Sequence, residues 1–347
     1  MNAGEGQHSY VKNSSYQRGV VDVAKPIIEE EIAKKLDVEN LSSFHLADYG
    51  CSTGHNSFPA IQIIIEAITK KIEQTSSIKV PEFFVFFNDN ITNDFNTLFR
   101  SGSPEDHYYV IGLPGSFHNR LLPKSFLHFG YSSWSLQWLT EVPKELSDCK
   151  SPAWNKGAIF YSGDKKDKVC EAYLNQYAKD LGSFLDARAQ ELVIGGMLAL
   201  LIPAAPTFWD PQTEYTLISD LNLMGSCLVD MVNKGIIDEG KVDEFNLPYY
   251  FATPEQLKGI IENNNQYSIE RLEIINNPGK HTLPSVTGRA AFFRAVHEKL
   301  LGDHFGSGII EELFDRYMKK LSASSLFMNS ANDKSLVTLI VLKLKQD

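Results

Sequence analysis

The sequence is poor in the features that betray a cross-linked frame or a charged or lipid partner. It holds only four cysteines, Cys51, Cys149, Cys170 and Cys227, scattered without a C-x-x-C pair. That spacing argues against a disulfide framework or zinc knot, and for reduced thiols packed as small buried hydrophobes. Basic runs are scarce too. The densest is Lys165-Lys166-Asp167-Lys168, and 33 Lys+Arg against 43 Asp+Glu leave a formal charge of −10. Nucleic acid and anionic membrane are therefore poor partners. No apolar run reaches the ~20 residues of a membrane span; the longest, about 192–205, is broken by Gly195-Gly196. The opening MNAGEGQHSY has no basic stretch followed by an apolar one, so a secretory leader is not expected and the expected address is cytoplasmic.

What is present is ordinary globular material: 347 residues, 43% hydrophobic and 22% charged, enough for one large core or two modest ones. Short apolar runs at 44–48, 83–89, 108–112, 126–130 and 197–202 read as strands. Between several of them lie stripes at helical spacing: Val20, Ala24, Ile28 and Ile32; Ile61, Ile64, Ile65 and Ile68; Tyr173, Tyr177, Leu181 and Phe184. Alternation of buried strands with helices predicts an α/β fold with a doubly wound, mostly parallel sheet. After Pro203 helices dominate, at 215–234, after the Thr253-Pro254 start, at 290–301 and at 308–321. Strand signals at 267–275 and 335–344 are placed at the sheet edge, the last antiparallel. The expected division is a core of 1–204, 265–278 and 333–347, with a helical cap of 205–264 and 279–332 over the carboxyl ends of the strands, where open α/β sheets bind ligands.

The most informative turn is Ala47-Asp48-Tyr49-Gly50-Cys51-Ser52-Thr53-Gly54-His55-Asn56, after the first strand and before a strong helix. Its glycines let backbone approach a ligand at a helix N-terminus. Gly50 and Gly54 are four apart and an acid precedes them, which is not the dinucleotide pattern G-x-G-x-x-G. An acid in that place suits a cation such as an α-ammonium; taken alone it is equally a helix cap. The second strand ends in Asn88-Asp89, and an acid there suits two ribose hydroxyls. Together they suit the two ends of S-adenosylmethionine.

Six ordered blocks then carry a resemblance over nearly the whole chain: 9–17 (SYVKNSSYQ), 47–56, 87–96 with Asn93-Asp94-Phe95-Asn96, Pro114-Gly115-Ser116-Phe117, 132–138 (SSWSLQW) and Phe245-Asn246-Leu247-Pro248-Tyr249-Tyr250. In these the sequence resembles the plant SABATH methyltransferases. The resemblance implies a class I, Rossmann-like methyltransferase with a seven-stranded sheet and a helical cap, a homodimer, and methyl transfer from S-adenosyl-L-methionine to a small-molecule carboxylate in plant specialised metabolism. It leaves open an N-methyltransferase acting on a xanthine-like heterocycle. It implies cofactor contacts from Tyr10, Ser14, Asp48, Gly50, Cys51, Asn56, Asp89, Asn90, Ser116, Phe117 and Ser133. Gln17 and Trp138 match the catalytic pair that holds the substrate carboxylate through an amide and an indole N–H. Trp134, Gln137, Leu221, Tyr250, Phe293 and Val296 match the rest of the substrate pocket. Asn155, Asp243, Phe245 and Asn246 resemble an oxygen-rich site where some members bind Mg²⁺. Asp220 aligns loosely: as a pocket residue it would favour a hydroxyl- or N–H-bearing substrate such as a sugar-decorated acid, and otherwise it is a solvated helix residue.

The implied chemistry needs no base. A carboxylic acid with a pKa near ~4 is already a nucleophile at neutral pH, so positioning is what remains. His55 stands where the family usually has Pro, with no His or Cys at ligand spacing, and is read as solvent-facing or capping rather than metal-binding. Gln137 replaces the His or Met common beside the tryptophan, and cannot take a proton at neutral pH. A rival from another class is a binding protein that keeps the cofactor pocket without transfer; the Gly spacing counts against a dehydrogenase.

Overall fold

The computed structural model describes all residues except 3, 5, 39–40, 75–78, 103–106, 163–166, 277–284 and 347, so Lys165 and Lys166 lie outside the described residues. Seven strands form one sheet: β1 (Ser43–Tyr49), β2 (Glu82–Asp89), β3 (Tyr108–Pro114), β4 (Leu127–Ser133), β5 (Leu192–Ala204), β6 (Tyr267–Asn276) and β7 (Leu336–Leu344), in the order β3-β2-β1-β4-β5-β7-β6. The first five are parallel, and β7 runs antiparallel to both β5 and β6. The strand order reverses between β1 and β4, which places the crevice of a doubly wound sheet at their carboxyl ends.

The helices are α1 (Tyr10–Asn13), α2 (Ser15–Lys35), α3 (Ser57–Gln74), α4 (Phe95–Ser101), α5 (Lys168–Glu191), α6 (Leu217–Asn233), α7 (Glu239–Glu244), α8 (Pro254–Asn264), α9 (Val286–Phe305), α10 (Ile310–Ala323) and α11 (Ser325–Met328). The apolar stripe of α3, with Ile61, Ile64 and Ile68 buried, packs toward the sheet. At α8 a capping box closes the first turn: Thr253 Oγ1 accepts from Gln256 N, and Gln256 Oε1 accepts from Thr253 N. None of the described helices is long and apolar enough to cross a membrane.

Two expectations need correction. The last strand, β7, is not an edge: it fills the place between β5 and β6, and β6 alone closes that side of the sheet. A run such as Val337–Leu342, apolar but for Thr338 and buried at every position, suits a strand covered on both faces. Nor is the fifth strand confined to 197–202: it runs from Leu192 to Ala204, and Gly195 takes φ +76° inside it, where the register with β4 shifts. None of the four cysteines forms a disulfide; Cys51, Cys170 and Cys227 are buried as expected but Cys149 is exposed.

Candidate active site

The turn after β1 is built for close approach of backbone. Gly50 holds φ +91°, and a Cβ there would overlap the Ser135 side chain, whose Oγ donates to Gly50 O. Gly50 N and Cys51 N both donate to Asn88 O at 2.8 and 2.9 Å, locking the turn to β2. Asp89 is held against the same turn: its carboxylate accepts from Ser52 N and Asn90 N, each at 2.7 Å. Its backbone O accepts from Gly115 N, so the loop carrying Ser116 and Phe117 lies alongside. Asn90 is exposed, with Oδ1 turned to Thr92 N and Oγ1.

A cavity of about 400 Å³ opens over this turn, lined by Tyr10, Gln17, Asp48, Gly50, Cys51, Asn56 and Ser133 among others. His55, exposed as expected, also lines it. Asp48 sits inside the cavity wall, 2% exposed, with Oδ2 unpartnered among the described residues. Burial pushes its carboxyl up to about 7; the Ser57 hydroxyl pulls the other way, and the charge of Asp89 adds to the rise. Burial raises Asp89 as well, against the two backbone N–H groups that favour its charge. A buried carboxyl in the wall with an unpartnered oxygen describes a cavity that would gain from a positively charged occupant. Ser14, also buried, stands behind the cavity: its backbone O accepts from Asn56 Nδ2 at 3.2 Å, and its Oγ has no partner among the described residues.

A second cavity of about 500 Å³ adjoins the first, and Tyr10 and Gln17 line both. Trp134, Gln137, Trp138, Leu221, Phe293 and Val296 line this second space, as the sequence predicts. Trp134 takes φ +58°, uncommon for a bulky side chain, in the turn after β4. Gln17 Oε1, Gln137 Oε1 and Trp134 Nε1 are buried there without partners among the described residues. One N–H of the Gln137 amide is spent on Trp134 O at 2.8 Å, which fixes the amide and turns its unpartnered Oε1 the other way.

Three site expectations change. Tyr250 does not line the cavity: its hydroxyl donates to Gln256 Oε1 at 3.2 Å and its ring packs on Tyr161 and Tyr177. Its neighbour Tyr249 lines it instead, edge-on to Trp138 with ring centroids 5.0 Å apart, because successive side chains of an extended segment point opposite ways. Asp220 faces neither solvent nor the cavity. It is fully buried on α6 and accepts from Arg289 Nε and Nη2 at 2.9 and 2.7 Å and from Tyr317 O–H at 3.0 Å, pinning α6 to α9 and α10. The sugar-reading role falls with it. Asn155, Asp243, Phe245 and Asn246 do meet, but Asn155 Nδ2 donates to Asn246 Oδ1 at 2.7 Å and Asp243 Oδ1 accepts from Gly157 N at 2.8 Å. Asn246 Oδ1 and one Asp243 oxygen are thus engaged within the chain, and Asp243 is the sole carboxylate of the set. Among the described residues no three His, Cys, Asp or Glu side chains gather. One carboxylate and two amides bonded to each other make no dedicated Mg²⁺ cage as they stand.

Of this wall, Met1, Leu217, Phe251, Phe292 and His297 escape the sequence reading, and Tyr249 takes the place given to Tyr250. His297 follows Phe293 by one helical turn of α9, a spacing that could have found it; the choice between Tyr249 and Tyr250 needs the backbone.

A family model described as "SAM dependent carboxyl methyltransferase" matches residues 1–345. The chain is similar to "Loganic acid O-methyltransferase" of Catharanthus roseus, 42% identical over 353 residues, covering 99% of this chain and 94% of the relative. It is similar to "Farnesoic acid carboxyl-O-methyltransferase" of Arabidopsis thaliana, 46% identical over 279 residues, with 80% and 79% covered. Among solved structures, "Loganic acid methyltransferase with SAH" superposes with a TM-score of 0.95 at 41% identity, over 100% of this chain and 99% of that one.

Proposed function

Because this chain belongs to the family of S-adenosylmethionine-dependent carboxyl methyltransferases, we propose that its first cavity takes the cofactor and its second a small-molecule carboxylic acid, which leaves as the methyl ester. The observation that carries this reading is the pair of adjoining cavities sharing Tyr10 and Gln17 as a common wall. One cavity offers buried carboxyl oxygen to a cation; the other offers an indole and an amide.

In this reading Asp48 and the Gly50 turn hold the methionine part of the cofactor. Asp89 takes the ribose, with Asn90, Ser116 and Phe117 around the adenosyl group. Gln17 and Trp138 donate N–H groups to one carboxylate and aim its free oxygen at the methyl on sulfur. The acid arrives ionised, so no protein group removes a proton. Bringing oxygen, methyl and sulfur into line contributes up to about 7–11 kcal/mol in favourable cases. Two neutral donors orient the anion without the ground-state grip that a guanidinium would exert on charge that fades in the transition state. The helices of 205–264 and 279–332 form the cap that shapes the second cavity, in a homodimer working in the cytoplasm.

Turnover with labelled cofactor on a panel of carboxylic acids and a panel of xanthines tests the reaction class. Ester products from acids are expected; methylation of xanthines alone would replace the ester reading with N-transfer, and calorimetric cofactor binding without any turnover would favour a binding protein. Gln17→Ala and Trp138→Ala are each expected to lower kcat/KM for the acid by about 10²-fold, the scale of a misplaced reactant. S-adenosylhomocysteine affinity should stay within about threefold for Trp138→Ala, which lines the second cavity alone.

A further inference from the structure

The substrate cavity is polar in a directed way. His297 Nδ1 lies 2.7 Å from Phe293 O, and its Nε2 lies 2.6 Å from Tyr249 Oη. A carbonyl oxygen only accepts, so Nδ1 must carry the ring proton. His297 is buried, and burial pushes it down to about 4, so the ring is neutral at physiological pH and its Nε2 is bare. The Tyr249 proton therefore points at His297, and the phenolic oxygen has only lone pairs left to give. Both partners of this bond line the cavity. Gln137 adds a second acceptor to the same wall: the bond from its amide nitrogen to Trp134 O fixes the amide, and its buried Oε1 is unpartnered among the described residues. Much of the remaining wall is apolar: Leu217, Leu221, Phe251, Phe292, Phe293 and Val296.

We propose that Tyr249 selects an acid bearing an O–H or N–H group away from its carboxylate, with His297 as the positioning residue that fixes the direction of that hydrogen bond. The proposal rests on the carboxyl-transfer reading above and deepens it by naming the substrate class: a mainly apolar acid with one hydrogen-bond donor. The same lone pairs repel a carboxylate, so they also keep the acid end of the substrate at Gln17 and Trp138. An acid without the donor leaves buried acceptors unpaired, the kind of mismatch that discriminates far more strongly than a missing methylene.

The test uses acids paired with and without one hydroxyl at increasing distance from the carboxylate: benzoic acid against its 3- and 4-hydroxy forms, cinnamic against 4-hydroxycinnamic, and dodecanoic against 12-hydroxydodecanoic acid. Each pair is compared by kcat/KM and by acid affinity in the presence of S-adenosylhomocysteine. At least one pair should favour the hydroxy acid tenfold or more. Tyr249→Phe should bring that ratio below threefold, and His297→Leu, which frees the phenol to donate, should pass the preference to the corresponding methoxy acid. A wild-type preference below tenfold in every pair, or one that survives Tyr249→Phe, overturns the proposal. Acids that bind with the expected ratios but are never methylated would sink the carboxyl-transfer reading and leave this one standing; methylation without hydroxyl preference would do the reverse.

Discussion

At the scale of single residues, Asp48 decides most. Burial penalises its charge and pushes its carboxyl up to about 7. A bound ammonium or sulfonium would restore the charge and lower that pKa, so cofactor binding below pH 7 should expel a proton. Cofactor affinity is then expected to rise by up to tenfold per pH unit between pH 5.5 and 7 and to level off above, until the α-ammonium itself titrates near about 8. Calorimetry in two buffers of different protonation enthalpy should register close to one proton released at pH 6. A flat affinity over that range with no proton exchange would remove Asp48 from the cation's side. The same shift acts on stability. A folded pKa above the ordinary 3.8 means that the folded chain holds more proton than the unfolded one between about pH 4 and 7. Stability from this group therefore falls as pH rises through that window. Asp48→Asn removes the penalty, and at pH 8 the ligand-free variant should gain on the order of 1–2 kcal/mol while losing cofactor affinity. A destabilised variant would mean that the carboxylate has a partner the cavity does not reveal.

At the scale of elements, the loop after β3 depends on the end of α5. Arg188, fully buried, donates to Phe117 O at 2.6 Å and Asn119 O at 2.8 Å, and pairs with Glu191 through Nε and Nη2 at 2.8 and 2.9 Å. Glu191 accepts in turn from Leu121 N, from Leu122 N at 2.9 Å and from Tyr49 O–H at 2.9 Å. One ion pair thus ties the loop bearing Ser116 and Phe117 to β1, next to Asp48. Arg188→Met strands the Glu191 charge and should cost about 3–5 kcal/mol in denaturant unfolding. The double change Arg188→Met with Glu191→Met should recover most of that stability while S-adenosylhomocysteine affinity stays low, because the loop is no longer held. Wild-type affinity in the double variant would show that the loop needs no clamp. This arrangement was not legible in the sequence: Arg188 and Glu191 are three apart on an amphipathic helix and read as surface charges, and only the loop that covers them makes them core. The long elements were legible because stripes such as Ile61, Ile64 and Ile68 repeat over several turns. Helices as short as α1, α4 and α7 span too few turns to show a period, and the sequence pattern does not predict them.

Across the whole molecule, the site is assembled from parts of unequal firmness. The turn after β1 and the wall after β4 rise from strands whose side chains are almost wholly buried; the turn was legible from its glycines and acid, the wall from the resemblance that 132–138 carries. Tyr249 and His297 come from distant stretches of chain that meet only in the fold, which is why one of two adjacent tyrosines was taken for the other. Tyr10 belongs to α1, a single turn with no hydrophobic core residue, yet it lines both cavities. Segments with so little buried apolar surface open at small free-energy cost, while the central strands open only with the whole domain. Amide exchange followed by mass spectrometry should therefore find Tyr10–Asn13 unprotected in the ligand-free enzyme and β1, β4 and β5 strongly protected. Adding S-adenosylhomocysteine should slow exchange in α1 by about tenfold or more, the amount that 1.4 kcal/mol of linked binding energy supplies; the strands, whose opening also releases the ligand, should slow further from their already high protection. Equal protection of α1 with and without ligand would mean that the shared wall is already closed, and that Tyr10 frames the cavities without responding to what fills them.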